Sequence, residues 1–299
     1  MSRFLDALRS GRVLLMDGAM GTELRRAGLA DNGCGEEWNL THPERVGAIH
    51  RAYVDAGAGV LLTNTFQMYP GRIPAADGLG YKPLFDASAA AARLGREAAG
   101  PGGFVLGDLG PPYGPLGREF PHLAGVSVAA HFIQPVDGLL LETCSTPRAR
   151  FAVARALRVT GERPVLLSLT YRLDENDRPV TISGHPPEWF AKRARQWGVA
   201  ALGVNCGRDV TVRDCAAVAR RYRDHTDLPL FARPNAGTPT RVGDRWVHPH
   251  TPEQMAEQLP ELLEAGVSMV GGCCGTTPEH IAAFRRVVDG WNNKTVSRE

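Results

Sequence analysis

Eight short apolar runs, spread along the whole chain, constrain the fold more than any other feature of the sequence. They cover residues 13–17, 60–65, 104–108, 138–142, 165–170, 201–205, 230–233 and 268–272. Each is rich in Val, Leu or Ile and lacks the apolar–polar alternation of a sheet with one wet face. Parallel strands covered on both sides read this way. The longer segments between them carry helical periodicity. Val46, Ile49 and Tyr53 recur at i, i+3 and i+7, and Ile281, Phe284 and Val288 repeat the pattern. Thr146-Pro147, Thr251-Pro252 and Thr277-Pro278 have the form of helix starts. Thr is a good N-cap, and Pro at the first helical position loses only an N–H that had no partner. The alternation predicts an α/β fold, a single-domain (β/α)8 TIM barrel over residues 1–299, for which the chain is long enough. A doubly wound open sheet uses the same elements. The crossover between Pro111 and Gly138 fits least well. Pro112, Pro115, Pro121, Gly125 and Pro135 leave only 126–133 for a helix, so it is expected to be short or irregular. The polar tail, 292–299, is expected to fray.

Charge and cysteine content narrow the function. Lys and Arg number 34 against 32 Asp and Glu, which excludes an overall polyanion binder such as a nucleic-acid-coating protein. No apolar stretch approaches the roughly 18 residues of a membrane span, and no signal segment is visible, so the default is a reducing, cytoplasmic setting. Six cysteines in 299 residues are too sparse for a disulfide scaffold.

The informative motifs sit where strands end, which in a barrel is the face that carries active sites. Asp17 lies in Asp17-Gly18-Ala19-Met20-Gly21-Thr22, pointing into the barrel mouth or capping a turn. Glu142 ends an apolar run in Leu141-Glu142-Thr143-Cys144 and needs a partner if buried: a ligand ammonium, a neighbouring Arg or backbone N–H groups. Cys206 ends the sixth run in Asn205-Cys206-Gly207, and Cys273 and Cys274 end the eighth in Gly271-Gly272-Cys273-Cys274-Gly275. With one strand between them, those ends can converge. Three thiolates on one soft metal leave a fourth tetrahedral position open, as in catalytic zinc sites. Three buried thiols acting as small apolar residues is an equal reading at this point. Cys215 falls in a helical segment and reads as core packing, whereas Cys34 and Cys144 read as loop and pocket-lining positions.

Taken together and in order, these segments resemble the zinc-dependent homocysteine S-methyltransferases. The matching motifs are Asp17 to Thr22, Asn64-Thr65-Phe66, Gly107-Asp108-Leu109-Gly110-Pro111, Glu142-Thr143, Asn205-Cys206, Pro234-Asn235-Ala236-Gly237 and Gly271 to His280. Glu36-Glu37-Trp38-Asn39 and Pro234 to Gly237 are also similar to the homocysteine-binding module of cobalamin-dependent methionine synthase. The resemblance implies one zinc held by Cys206, Cys273 and Cys274, with the homocysteine thiol as fourth ligand and its amino group bound by Asp17 and Glu142. Asn205 and Asn235 are then expected to bind substrate or support the metal ligands. A free thiol has a pKa near 8.5, so a metal that removes its proton makes the nucleophile available at neutral pH.

The implied reaction moves a methyl group from a small donor to homocysteine, giving methionine. S-methylmethionine, S-adenosylmethionine and betaine are the donor classes. No cobalamin or folate module is visible in the sequence, so the donor is expected from outside this chain. Alternatives are a barrel subunit working with a separate corrinoid protein, a methyltransferase for another thiol or selenol, and a zinc-binding barrel without turnover.

Overall fold

The computed structural model describes residues 2–68, 82–111, 135–207, 210–243 and 245–296. Eight parallel strands form one sheet: β1 (Leu14–Leu15), β2 (Val60–Leu62), β3 (Phe104–Leu109), β4 (Gly138–Cys144), β5 (Val165–Leu169), β6 (Ala201–Asn205), β7 (Leu230–Arg233) and β8 (Val267–Val270). Each strand pairs with its sequence neighbours, and β8 pairs with β1 through Leu14 and Met269. A parallel bridge between Met16 and Val60 joins β1 to β2, so the sheet closes on itself as a single-domain (β/α)8 barrel. All eight expected strands are present: β6 and β7 match their apolar runs, β1 and β2 are three residues shorter than theirs, and the other four differ by one or two.

The strands look uniformly apolar because both faces are covered, yet alternation persists inside. Met16, Val60, Leu62, Phe104, Leu106, Leu140, Leu166, Ala201, Phe231 and Met269 fill the barrel interior. Phe4 and Leu8 of α1 (Arg3–Leu8) close its N-terminal end. The intervening residues, among them Val105, Leu139, Leu141, Leu167 and Leu202, pack outward against the helices. Large and small side chains alternate across the interior. A Cβ at Gly203 would stand 2.4 Å from the ring of Phe231, so β6 has no side chain there.

Helices between the strands form the outer layer: α2 (Met20–Arg26), α3 (Trp38–Thr41), α4 (Pro43–Asp55), α5 (Lys82–Ala99), α6 (Ala149–Thr160), α7 (Pro187–Ala194), α8 (Val212–Arg223), α9 (Pro252–Glu264) and α10 (Pro278–Val296). Thr251 caps α9 as its sequence predicts, with a reciprocal box to Gln254, and Pro252 occupies the first helical position. Thr211 and Asp214 form a second box on α8. Thr146-Pro147 departs from expectation. Thr146 Oγ1 accepts from the Arg148 N–H within a turn, and α6 begins only at Ala149.

The expected fraying over 292–299 is corrected for 292–296, and 297–299 lie outside the described residues. Helix α10 continues to Val296, and Asn292 is buried. Its side chain accepts from the N–H of Val13 at 2.8 Å and donates to the carbonyl of Val13 at 3.0 Å. A polar residue read as tail is thereby the tie between the last helix and the first strand. The crossover expected to be short falls mainly at 112–134, outside the described residues. Two antiparallel ribbons not foreseen from the sequence, Arg172–Leu173 with Pro179–Val180 and Thr240–Val242 with Arg245–Val247, follow β5 and β7 at the mouth.

Candidate metal and substrate site

The three expected cysteines converge at the C-terminal mouth. Cys206 follows β6 directly, and Cys273 and Cys274 lie three and four residues beyond β8. Their sulfurs all lie within 4.8 Å of one another, and those of Cys206 and Cys274 are 4.0 Å apart. A tetrahedral ion at a metal–sulfur distance of about 2.3 Å spaces its sulfurs by roughly 3.8 Å, so the set fits a soft cation. Cys206 and Cys273 are half-buried and Cys274 is exposed, which leaves the cluster open on one side.

Backbone geometry builds this cluster. Cys206 has φ +56°, a left-handed conformation unusual for a residue with a Cβ, and Gly207 follows at φ +107°. Such strain concentrates at functional sites, where the surroundings impose it. Three mainchain bonds lock the segments together: Cys206 N–H to the Arg233 carbonyl (3.2 Å), Cys273 N–H to the Pro234 carbonyl (2.9 Å) and Ala236 N–H to the Cys274 carbonyl (2.9 Å). Gly275 turns the chain at φ +81° where a Cβ would meet the His248 imidazole at 2.1 Å.

Asn205 and Asn235 support the sulfurs. Asn205 is fully buried; its Oδ1 accepts from Ser168 Oγ (2.5 Å) and the Thr143 N–H (3.1 Å). That leaves Nδ2 to donate to Thr143 Oγ1 (2.8 Å) and to face Cys273 Sγ at 3.8 Å. Thr143 itself has φ +59°. Asn235 Nδ2 donates to the Gly207 carbonyl (3.0 Å) and faces Cys206 Sγ at 3.6 Å. Hydrogen bonds from the Cys273 and Cys274 thiols pull Cys206 down to about 3, and the same sharing with Cys206 pushes Cys273 up to about 11. The cluster therefore holds one thiolate readily and resists the next.

Below the sulfurs the inward-facing positions turn polar. Asp17 and Glu142 come together as expected, and a buried arginine lies between them. Arg233 donates through Nη1 to Glu142, and through Nη2 to Asp17 (3.2 Å) and to the Gly18 carbonyl (3.2 Å). Asp17 also accepts the Leu62 N–H at 2.7 Å. Burial raises the carboxyls of Asp17 and Glu142 to about 7 despite the opposing charge of Arg233. Burial alone would lower Arg233, but Glu142 and Asp17 outweigh it and hold the guanidinium charged. Asp108, on β3, is a third buried carboxylate of this layer.

The sequence reading missed Arg233 and Asp108 as site residues, although both lie in quoted segments. A signal was present. Phe104, Leu106 and Asp108 share one phase of β3, Leu140 and Glu142 share one phase of β4, and Phe231 and Arg233 share one phase of β7. Of the other cysteines, Cys215 is core packing in α8, as expected. Cys144 is buried in the outer core.

Comparison with known proteins agrees with this architecture. The sequence profile of homocysteine S-methyltransferases matches residues 14–288. The methionine synthase of Mycobacterium leprae (strain TN) is 30% identical over 320 aligned positions, covering 96% of this chain and 25% of that protein. The methionine synthase of Mycobacterium tuberculosis (strain ATCC 25618 / H37Rv) is 30% identical, covering 93% and 24%. The chain thus spans about a quarter of the length of these curated relatives. Among solved structures, the metallated form of the homocysteine methyltransferase MmuM from Escherichia coli superposes with a TM-score of 0.74 at 26% identity, covering 94% of this chain and 99% of that one. The carboxyl transferase domain of Rhizobium etli pyruvate carboxylase, at 15% identity and a TM-score of 0.55, shares the fold alone.

Proposed function

Because the chain belongs to the homocysteine S-methyltransferase family, we propose that it methylates the thiol of homocysteine, giving methionine, with Cys206, Cys273 and Cys274 holding a zinc ion. The observation that carries this reading is the convergence of those three sulfurs at the barrel mouth with one side open. Bound there, the cation would bind the acceptor sulfur and lower its pKa, so that the thiolate is present at neutral pH.

The protein's own residues align and hold. Asn205 and Asn235 fix the orientation of the cysteine sulfurs through their amide N–H groups. Methyl transfer forms an S–CH3 bond with a sulfur electron pair while the donor's bond to that methyl breaks, its electrons leaving with a neutral group. No protein acid or base is required, and in-line positioning supplies the rate. Burial holds the carboxyls of Asp17, Glu142 and Asp108 above their ordinary range around the one guanidinium of Arg233, so a further cation beneath the sulfurs, on acceptor or donor, would be met by favouring their ionised forms. Of the donor classes, sulfoniums suit the described part of this site best. Among the described residues, the ring of Trp38, in the Glu36 to Asn39 motif, is engaged by His42 (4.6 Å) and by the Arg45 guanidinium (5.1 Å) instead of contributing to a cage for a quaternary ammonium.

The test is a panel of S-methylmethionine, S-adenosylmethionine and betaine against homocysteine with zinc-loaded protein, methionine being read by mass spectrometry. Methionine from a sulfonium with no other protein present is the expected result. A second reading, in which a corrinoid protein carries the methyl group, is favoured by the methionine synthase relatives. Methionine formed only when a methylated corrinoid protein is added would select it.

A further inference from the structure

Three buried carboxylates lie beneath the sulfur cluster, and their bonding is unequal. Asp17 and Glu142 both accept from Arg233, and Asp17 accepts a mainchain N–H as well. Asp108 is equally buried, 5% exposed, yet its Oδ1 has no hydrogen-bond partner. It projects from β3 in the same phase as Phe104 and Leu106, beside β4, which carries Glu142. Burial holds its carboxyl well above the usual carboxylate range, and the charges of Glu142, Arg233, Asp17 and Cys273 also act on it, so it belongs to this site and a cation brought to it would favour its ionised form. One guanidinium donor, Arg233 Nε, is likewise buried without a partner. Buried polar atoms are nearly always satisfied, and a carboxylate oxygen left without a donor is destabilising. Three orphans remain around the sulfur cluster, the acceptors Asp108 Oδ1 and Asn235 Oδ1 and the donor Arg233 Nε, and of the two acceptors only Asp108 can carry a charge.

Homocysteine is a zwitterion, with an α-ammonium and an α-carboxylate a short chain away from its sulfur. A second cation placed between Asp17 and Glu142 would meet the guanidinium already there. At Asp108 it would supply the missing donor, and Arg233 Nε is free to donate to the carboxylate. We infer that Asp108 accepts the ammonium of the acceptor directly, with Asp17 and Glu142 acting through Arg233, so that Asp108 selects α-amino thiols over thiols lacking the amine. The inference rests on the homocysteine reading and deepens it.

The experiment measures binding of L-homocysteine and of 4-mercaptobutyrate, its analogue without the amino group, to the zinc-loaded protein by calorimetry. Wild-type protein is expected to favour homocysteine by about tenfold or more, the size of one charge-assisted hydrogen bond. Asp108→Asn should bring the two affinities together with zinc content unchanged and the thermal midpoint of the unliganded protein at or above that of wild type. Asp108→Ser should lose the preference in the same way, and serves if the asparagine variant does not accumulate. An unchanged preference in either variant, or equal affinities in wild type, overturns the inference and leaves the methyltransferase reading standing. If wild-type zinc protein binds neither thiol, both fall together.

Discussion

Arg233 shows how one side chain sets the electrostatics of a site. Its guanidinium is 4% exposed and bridges Asp17, just past β1, and Glu142, three strands away on β4. Replacing it with methionine leaves two buried carboxylates without their cation. The expected cost is about 3–5 kcal/mol at pH 8, read by denaturant unfolding. Both carboxyls sit near 7 in the fold against about 4 in an unfolded chain, so between those values the folded state binds more protons. Their contribution to stability therefore falls as pH rises from about 4 to 7, and the loss in Arg233→Met should shrink at pH 5. The cysteines lead to a proton count. Hydrogen bonding among the three sulfurs pulls Cys206 down and pushes Cys273 and Cys274 up, so the metal-free cluster is expected to carry one thiolate at pH 7. Zinc uptake at pH 7 should then release two protons, measurable by calorimetry in buffers of different ionisation enthalpy; a release of three would show Cys206 to be protonated. Asn235→Ala removes the amide facing Cys206 and should weaken metal affinity by about 10–100-fold in a chelator competition.

At the scale of elements, caps and ties decide what holds the barrel's ends. The Thr251 box was legible because cap, proline and Gln254 are all local in sequence. Thr146-Pro147 has the same local signature, yet α6 starts two residues later, because a turn intervenes. Asn292 was not legible at all, since its partners lie at Val13, 279 positions away. Asn292→Ala strips both backbone groups of Val13 of their partner at the barrel's seam. A loss of about 1–3 kcal/mol in chemical denaturation is expected, against almost none if the terminal turn were loose.

For the whole molecule, the barrel divides into an apolar end and a polar end along one axis. Phe4 and Leu8 plug the end remote from the sulfurs, and the polar layer sits beneath the mouth. Stability and chemistry should accordingly separate. Phe4→Ala should cost about 3–5 kcal/mol in unfolding while zinc stoichiometry stays that of wild type. Loss of metal in that variant under native conditions would show the two ends to be coupled. Among the described residues no helix is long and apolar enough to cross a membrane.

The sequence by itself determined the strand count and the parallel sheet, and it placed Cys206, Cys273 and Cys274 at strand ends. Those features are written in contiguous runs and in motifs at strand ends, where local composition is sufficient. Tertiary structure decided the partners. The convergence of Cys206 with Cys273 and Cys274, the sharing of Arg233 by Asp17 and Glu142, and the isolation of Asp108 all depend on which strands become neighbours once the sheet closes. Strand phase marked Arg233 and Asp108 as inward-facing. Only closure could say that two of the three carboxylates share the one cation, because charges from four different strand ends meet nowhere in the linear chain.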